Sequence, residues 1–276
     1  MSHDSIVAFL VEDPARTALF TDFDGTLAPV VTDPAAAAPL EGAVEALREL
    51  SAHLAVVCVV SGRPAGFIVS KLRLGDMPGA IQAYGLHGLE HSSGGAIETA
   101  DAALAWQPAV EHARGLVLSS MPDGSELEDK VFGFTLHWRR AADPAAVARA
   151  ATALADRAAV ASGLALRKGR ASVELVPPVG IDKGSVLLEW VGRLAPHGSG
   201  RLLRFLFFGD DVSDLLGFEA LGEVAATGRA SVLRVAVSST EAPPQLLEQA
   251  DYVLVDPSQV RDVLVAAAEL LSKRGV

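Results

Sequence analysis

The stretch Thr17-Ala-Leu-Phe-Thr21 runs directly into Asp22-Phe-Asp24-Gly25-Thr-Leu27. The first five residues read as a buried strand, and the next six as the turn that leaves its carboxyl end. In a doubly wound α/β sheet the carboxyl ends of the strands line the ligand crevice. Asp22 and Asp24, two residues apart at such an end, therefore face one site together. One carboxylate can attack an electrophile while the other moves a proton. Gly25 lets the chain turn sharply away. A calcium-binding loop would need further oxygen ligands and a closing Glu, whereas this segment continues into Leu27-Ala-Pro-Val-Val31.

Working outward, apolar runs alternate with helical patterns, the signature of a parallel sheet with crossover helices. Leu40, Val44, Leu47 and Leu50 predict a helix over about 39–52, and Leu54 to Val60 a second buried strand. Arg63-Pro64 opens another helix, and a third strand is expected near 80–84. Gly85, Gly88, Gly94 and Gly95 then interrupt the chain. Beyond them the pattern predicts a strand, a helix over 104–121, a strand over 131–139 and a helix over 143–160. Two strands follow, 164–167 and 171–176, joined by the turn Lys168-Gly169-Arg170 and ended by Pro177-Pro178. The doubly wound pattern resumes with a helix over 183–194, a strand over 202–208, a helix after Asp214, strands at 232–237 and 252–255, and a helix from Pro257. The expected architecture is an α/β, doubly wound parallel-sheet core, residues 1–85 and 179–276, with an α+β cap inserted at 86–178.

The 276 residues are 50% hydrophobic and 21% charged, as in globular proteins. Their net charge of −11 disfavours nucleic acid and anionic membrane as partners. Met1 to Arg16 lacks the basic start of a secretory signal, and no apolar run reaches the roughly 20 residues of a membrane span. Cys58, the one cysteine, lies within an apolar run and reads as a small buried hydrophobe. A cytoplasmic location is expected.

Phe208-Gly-Asp210-Asp211-Val-Ser-Asp214 ends another apolar run. With Asp22 and Asp24 it gathers carboxylates at one sheet rim, where like charges need a counter-ion. A hard cation with oxygen ligands, Mg²⁺, meets that need. Ser61-Gly62-Arg63 opens a helix after the second strand, and Lys183 starts another within Gly180-Ile-Asp-Lys-Gly184. A hydroxyl, backbone N–H groups at a helix start and an ammonium suit a phosphoryl group.

The order Asp-x-Asp-Gly-Thr, Ser-Gly-Arg, Lys-Gly, Gly-Asp-Asp-x-x-Asp resembles the haloacid dehalogenase superfamily of phosphotransferases. The resemblance implies Asp22 as nucleophile and metal ligand, Asp24 as general acid/base whose backbone carbonyl also faces the metal, and Asp210 as metal ligand. It implies Ser61 and Lys183, with Gly62 beside them, as phosphoryl contacts. Within the superfamily the chain resembles the trehalose-6-phosphate phosphatase family. That likeness is carried by the 22–29 stretch, Gly85-Leu-His87-Gly-Leu-Glu90, Leu127-Glu128-Asp-Lys130, Thr135-Leu-His-Trp-Arg139, Gly169 with Val173-Glu174-Leu-Val-Pro177, and 209–214. It implies that Glu128, Lys130, Arg139, Gly169 and Glu174 face the sugar phosphate on the cap, with His87 and Glu90 at the cap entrance.

The expected reaction is Mg²⁺-dependent hydrolysis of a sugar phosphate, trehalose 6-phosphate first, through an aspartyl phosphate. A related disaccharide or pseudo-disaccharide phosphate, a phosphosugar mutase with the same chemistry, and a non-catalytic phosphosugar-binding protein are the alternatives. Leu215 stands where the family pattern carries Glu. His87-Gly-Leu-Glu-His91 also matches a zinc-peptidase pattern, which requires a helix that the surrounding glycines disfavour.

Overall fold

The computed structural model describes residues 3–76, 81–93, 95–169, 171–194, 203–239 and 242–274. The expectations that fell on Ala80, Gly94, Arg170 and Leu202 lie outside them. The chain divides into two compact units, Met1–Glu98 with Ile181–Val276, and Thr99–Gly180.

In chain order the larger unit contains α1 (His3–Glu12), β1 (Thr17–Thr21), α2 (Ala43–Ser51), β2 (Val56–Val60), α3 (Ala65–Leu72), β3 (Gln82–Gly85), β4 (Glu90–Ser92) and the start of β5 (Glu98–Thr99). After the second unit's α4 (Asp101–Leu104), α5 (Gln107–Leu118), β6 (Glu126–Lys130), β7 (Gly133–His137), α6 (Pro144–Ser162), β8 (Ala165–Gly169) and β9 (Ser172–Val176), it resumes. Its remaining elements are α7 (Lys183–Leu194), β10 (Leu203–Gly209), α8 (Leu215–Ala226), β11 (Ala230–Val237), α9 (Pro244–Gln249), β12 (Tyr252–Leu254) and α10 (Pro257–Arg274).

The larger unit's sheet has the order β12-β11-β10-β1-β2-β3-β4-β5. It is parallel from β12 to β3 and antiparallel from β3 to β4. Every residue of β1 and β2 is buried because both faces are covered. Leu19, Val57, Val59 and Leu206 join one apolar cluster, while Ala18, Phe20, Cys58 and Phe205 join the other. Each large side chain buried this way contributes about 1.5–3 kcal/mol. Chain order reverses at β1, which has β2 on one side and β10 on the other. The carboxyl ends of β1 and β10 lie level, Thr21 opposite Phe208. The pair is thus the topological switch point where such sheets bind ligands.

β4 and β5 belong to this sheet, so residues 86–98 pack with the core and not, as expected from the sequence, with the insertion. The glycines near 85–88 mark a sharp reversal of the chain, not a domain exit. The expected helix over 39–52 starts at Ala43 because Gly42 adopts a left-handed φ of 85°. His3–Glu12 forms a helix that the sequence reading did not assign.

The smaller unit has an antiparallel sheet of order β6-β7-β9-β8. Phe134, Leu136, Val173 and Leu175 share an apolar cluster with Val110 and Val117 of α5 and Leu154 and Ala158 of α6. The expected helix over 104–121 is broken, and α5 restarts with proline in its first turn. Asp143 caps α6 as expected, accepting from the Ala146 N–H at 3.0 Å. The expected strand over 131–139 is β7, and it pairs antiparallel with β6, a strand not expected from the sequence.

Candidate active site

The β1 ladder continues past its last residue, since the Asp22 N–H donates to the Phe208 carbonyl at 2.9 Å. This fixes Asp22 beside the end of β10. The chain then doubles back, with the Gly25 N–H donating to the Ala28 carbonyl at 2.7 Å. Gly25 has φ 81°, and a Cβ there would overlap the Asp210 carboxylate, so both conformation and space require glycine. Thr26 Oγ1 donates to Asp210 Oδ1 at 3.3 Å.

Asp22, Asp210 and Asp214 are all buried, with one carboxylate oxygen from each lying within 4.8 Å of the others. Lys183, 1% exposed at the start of α7, places Nζ 2.9 Å from Asp22 Oδ1 and 2.7 Å from Asp214 Oδ1. Asp214 uses its other oxygen to accept the N–H groups of Asp210 at 2.9 Å and Asp211 at 3.0 Å. It is therefore the anchor of the loop. Asp211 points into its own turn and accepts the Ser213 N–H at 2.7 Å.

Burial pushes the Asp22 carboxyl well above the ordinary range. Lys183 pulls it back, but the charges of Asp214, Asp210 and Asp211 push it up again. Burial alone would lower Lys183, yet Asp214 and Asp22 more than offset this and raise it. One ammonium against this many buried carboxylates leaves the cluster short of positive charge. Among the described residues Asp22 Oδ1 accepts no hydrogen bond, although Lys183 Nζ lies 2.9 Å away. An all-oxygen, anionic, buried donor set with an orphaned oxygen fits a hard divalent cation. This cluster can bind a metal.

Asp24 is not one of that set. Its carboxylate receives two hydrogen bonds from Arg63, Nε to Oδ2 at 2.7 Å and Nη2 to Oδ1 at 2.9 Å. The guanidinium also lies 4.8 Å over the Phe67 ring, which packs edge-on against Phe23 at 5.6 Å. Arg63 was not among the residues assigned from sequence, although it stands in the quoted Ser-Gly-Arg. Ser61, buried at the end of β2, accepts the Arg63 N–H at 3.2 Å, so its hydroxyl proton remains to donate.

The sequence model of the family described as Trehalose-phosphatase matches residues 20–258. The chain belongs to this family. A trehalose-phosphate phosphatase of Mycobacterium marinum (strain ATCC BAA-535 / M) is 35% identical over 269 residues, 94% of this chain and 63% of that protein. The chain thus spans under two thirds of that relative. The C-terminal domain of C. albicans trehalose-6-phosphate phosphatase superposes with TM-score 0.76 at 23% identity, covering 98% of each chain. A haloacid dehalogenase-like hydrolase from Bacteroides thetaiotaomicron superposes with TM-score 0.55 at 16% identity, covering 92% of this chain and 99% of that one. The fold of this trehalose-phosphatase family member is haloacid dehalogenase-like.

In the smaller unit of this family member, strand register aligns Glu128, Thr135, Glu174 and Arg167 in one row across the sheet. Alternation puts this row on the face opposite the apolar cluster, and Lys130 shares it. Lys130 Nζ donates to Glu174 Oε1 at 2.6 Å, and His137 Nε2 pairs with Glu128 Oε2 at 2.8 Å. Thr135 Oγ1 is buried there with no hydrogen-bond partner among the described residues. Arg139 is exposed beyond the end of β7, and Gly169 is the last residue of β8.

The remaining expected contacts lie in the larger unit. The His87 ring covers Gly62, where a Cβ would come within 2.9 Å of it. Glu90 is buried and accepts a backbone N–H of α3. The zinc pattern is not helical: His87 sits in a turn with φ 59°, and Glu90 and His91 lie on β4. Leu215 packs against the second apolar cluster.

Proposed function

We propose that this chain is a Mg²⁺-dependent phosphatase that hydrolyses trehalose 6-phosphate to trehalose and phosphate. The observation that carries the reading is the Lys183 ammonium bridging Asp22 and Asp214 beside Asp210 at the β1/β10 switch point. Asp22, Asp210 and the Asp24 carbonyl would hold the metal, which when bound supplies charge neutralisation for the phosphoryl oxygens. Asp214 is already filled by hydrogen bonds and serves as the anchor.

Asp22 attacks phosphorus, and the bond from phosphorus to the sugar oxygen breaks. Protonated Asp24 gives its proton to that oxygen, which leaves as a free hydroxyl. Arg63 engages one lone pair on each Asp24 oxygen, and each oxygen keeps a second that can carry the proton. The Ser61 hydroxyl and Lys183 donate to the phosphoryl oxygens, where charge develops. Asp24 then takes a proton from water, whose oxygen attacks phosphorus and releases Asp22 and inorganic phosphate.

We assign sugar recognition to the smaller unit, Thr99–Gly180. Glu128, Lys130 and Glu174 supply acceptors and a cation on one sheet face, with Arg139 and Gly169 beyond it. The packed position of Leu215 supports trehalose 6-phosphate over a substrate altered by the family's missing Glu, since that side chain is occupied with the core. The enzyme works in the cytoplasm, where charged sugar phosphates are retained. Release of inorganic phosphate from trehalose 6-phosphate in Mg²⁺ tests the reading. Asp22→Asn should lower kcat at least a thousandfold with the fold intact. Turnover within tenfold of wild type would overturn the assignment, and an isomerised sugar phosphate as product would make the protein a mutase.

A further inference from the structure

The Ser61–Arg63 loop carries two of the site's groups, yet it gets no help from its own helix cap. Pro64, at the N-cap of α3, offers no side-chain acceptor. The α3 N-terminus is held from β4 instead. Glu90, 6% exposed, sends Oε2 to the Ala65 N–H at 2.7 Å. Ala65 is the first residue of α3, so its N–H has no partner within the helix, and an anionic acceptor suits both that donor and the helix dipole.

The surroundings fix this contact from several sides. A Cβ on Gly85 would overlap Ala65 N, so β3 and the start of α3 touch backbone to backbone. Leu86 and His87 adopt left-handed φ values of 49° and 59°, which side chains rarely tolerate. In that conformation the Leu86 N–H donates to the Arg63 carbonyl and the His87 N–H to the Ser61 carbonyl, each at 2.9 Å. The Ser61 N–H in turn donates to the Tyr84 carbonyl at 2.9 Å. The loop bearing the Ser61 hydroxyl and the Arg63 guanidinium is thus clamped between the end of β3, the strained corner and the Glu90 carboxylate.

We propose that Glu90 is a positioning residue, not a sugar ligand: by binding the Ala65 N–H it holds Ser61 toward the phosphoryl group and Arg63 on Asp24. This rests on the phosphatase reading. It departs from the role at the cap entrance that the family resemblance implied. A carboxylate committed to a buried backbone donor acts on every substrate alike, whereas a sugar ligand acts on sugar substrates alone.

Two variants and two readouts test it. Glu90→Ala removes the acceptor, and Glu90→Gln keeps a carbonyl oxygen at the same reach. Amide hydrogen exchange, which needs no substrate, should show Ala65, Leu86 and His87 losing at least tenfold in protection in Glu90→Ala, with Glu90→Gln near wild type. If Glu90→Ala does not fold, Glu90→Asp, too short to reach, takes its place. In steady-state assays kcat on p-nitrophenyl phosphate and on trehalose 6-phosphate should fall together, tenfold or more, and Glu90→Gln should recover to within about threefold. A rise in KM confined to trehalose 6-phosphate, or unchanged protection of those amides, overturns the proposal. Inactivity of the wild type on both substrates would count against the phosphatase reading, and the exchange measurement would still judge Glu90.

Discussion

Asp214→Asn is the sharpest probe of how the site is held. Both oxygens of Asp214 are committed, one to Lys183 Nζ at 2.7 Å and the other to the N–H groups of Asp210 and Asp211. An asparagine must turn its amide nitrogen toward one of those donors, so it loses hydrogen bonds whichever way it faces. It also removes the largest of the carboxylate charges that keep buried Lys183 ionised. Breaking a buried pair from one side costs about 3–5 kcal/mol. At about 2–4 °C per kcal/mol for a domain of 150–250 residues, that is a fall in Tm of about 6–20 °C. Asp211→Asn is the matched control. Asp211 acts as an acceptor in its own turn, a role asparagine fills as well, so the change should cost under about 1 kcal/mol. Unfolding of the larger unit can be followed by Trp190 after replacing Trp106 and Trp138, the other two of the three tryptophans, with Phe. Lys183 has a raised folded-state pKa, so its contribution is full below about pH 10.5 and is lost as pH climbs above that. The alkaline loss should be shallower in Asp214→Asn. Equal costs for the two variants would refute the anchoring role of Asp214.

Lys130→Ala should raise KM for trehalose 6-phosphate about tenfold to a hundredfold, the worth of a charged hydrogen bond, and leave p-nitrophenyl phosphate nearly unchanged; parallel losses would make the residue structural. Thr135→Val should hold or raise stability, by about 1 kcal/mol, because it removes a buried hydroxyl without a partner. A melting measurement showing a loss above about 1 kcal/mol would mean that the hydroxyl is satisfied. Leu215→Glu should gain less than tenfold in kcat/KM on trehalose 6-phosphate and should destabilise, since it forces a carboxylate toward the apolar cluster that Leu215 packs on.

The parallel sheet was legible because its central strands are buried on both faces and must be apolar, as Val56 to Val60 and Phe205 to Phe208 are. β6 was not. Its residues Glu126-Leu-Glu-Asp-Lys130 are mostly charged, which argues against a strand on propensity. An edge strand with one face open tolerates charge, however, and the strand hid for the same reason that it is useful. Its Glu128 and Lys130 form part of the polar row proposed to read sugar. The corner at 86–88 was misread as a domain exit because glycine signals a change of direction without saying where the chain goes next. Hydrogen bonds to Ser61 and Arg63, more than twenty residues earlier, decide that.

The candidate site divides along the same line. Asp22, Asp210, Ser61 and Lys183 were legible because each follows a strand or opens a helix, positions that topology alone sends to the crevice. Ranking Asp211 against Asp214 was not, since either can cap the same turn and the choice depends on Lys183, 31 residues before Asp214. Arg63 was overlooked for a related reason. Beside a helix start an arginine reads as a solvated cation, and only the fold brings it to Asp24, 39 residues away. Strand ends thus bring the candidate groups together, and long-range ion pairs decide how each is aimed. Glu90 is the extreme case: its family motif suggested a ligand, while its hydrogen bond to Ala65 makes it the support of the loop that carries two other site residues.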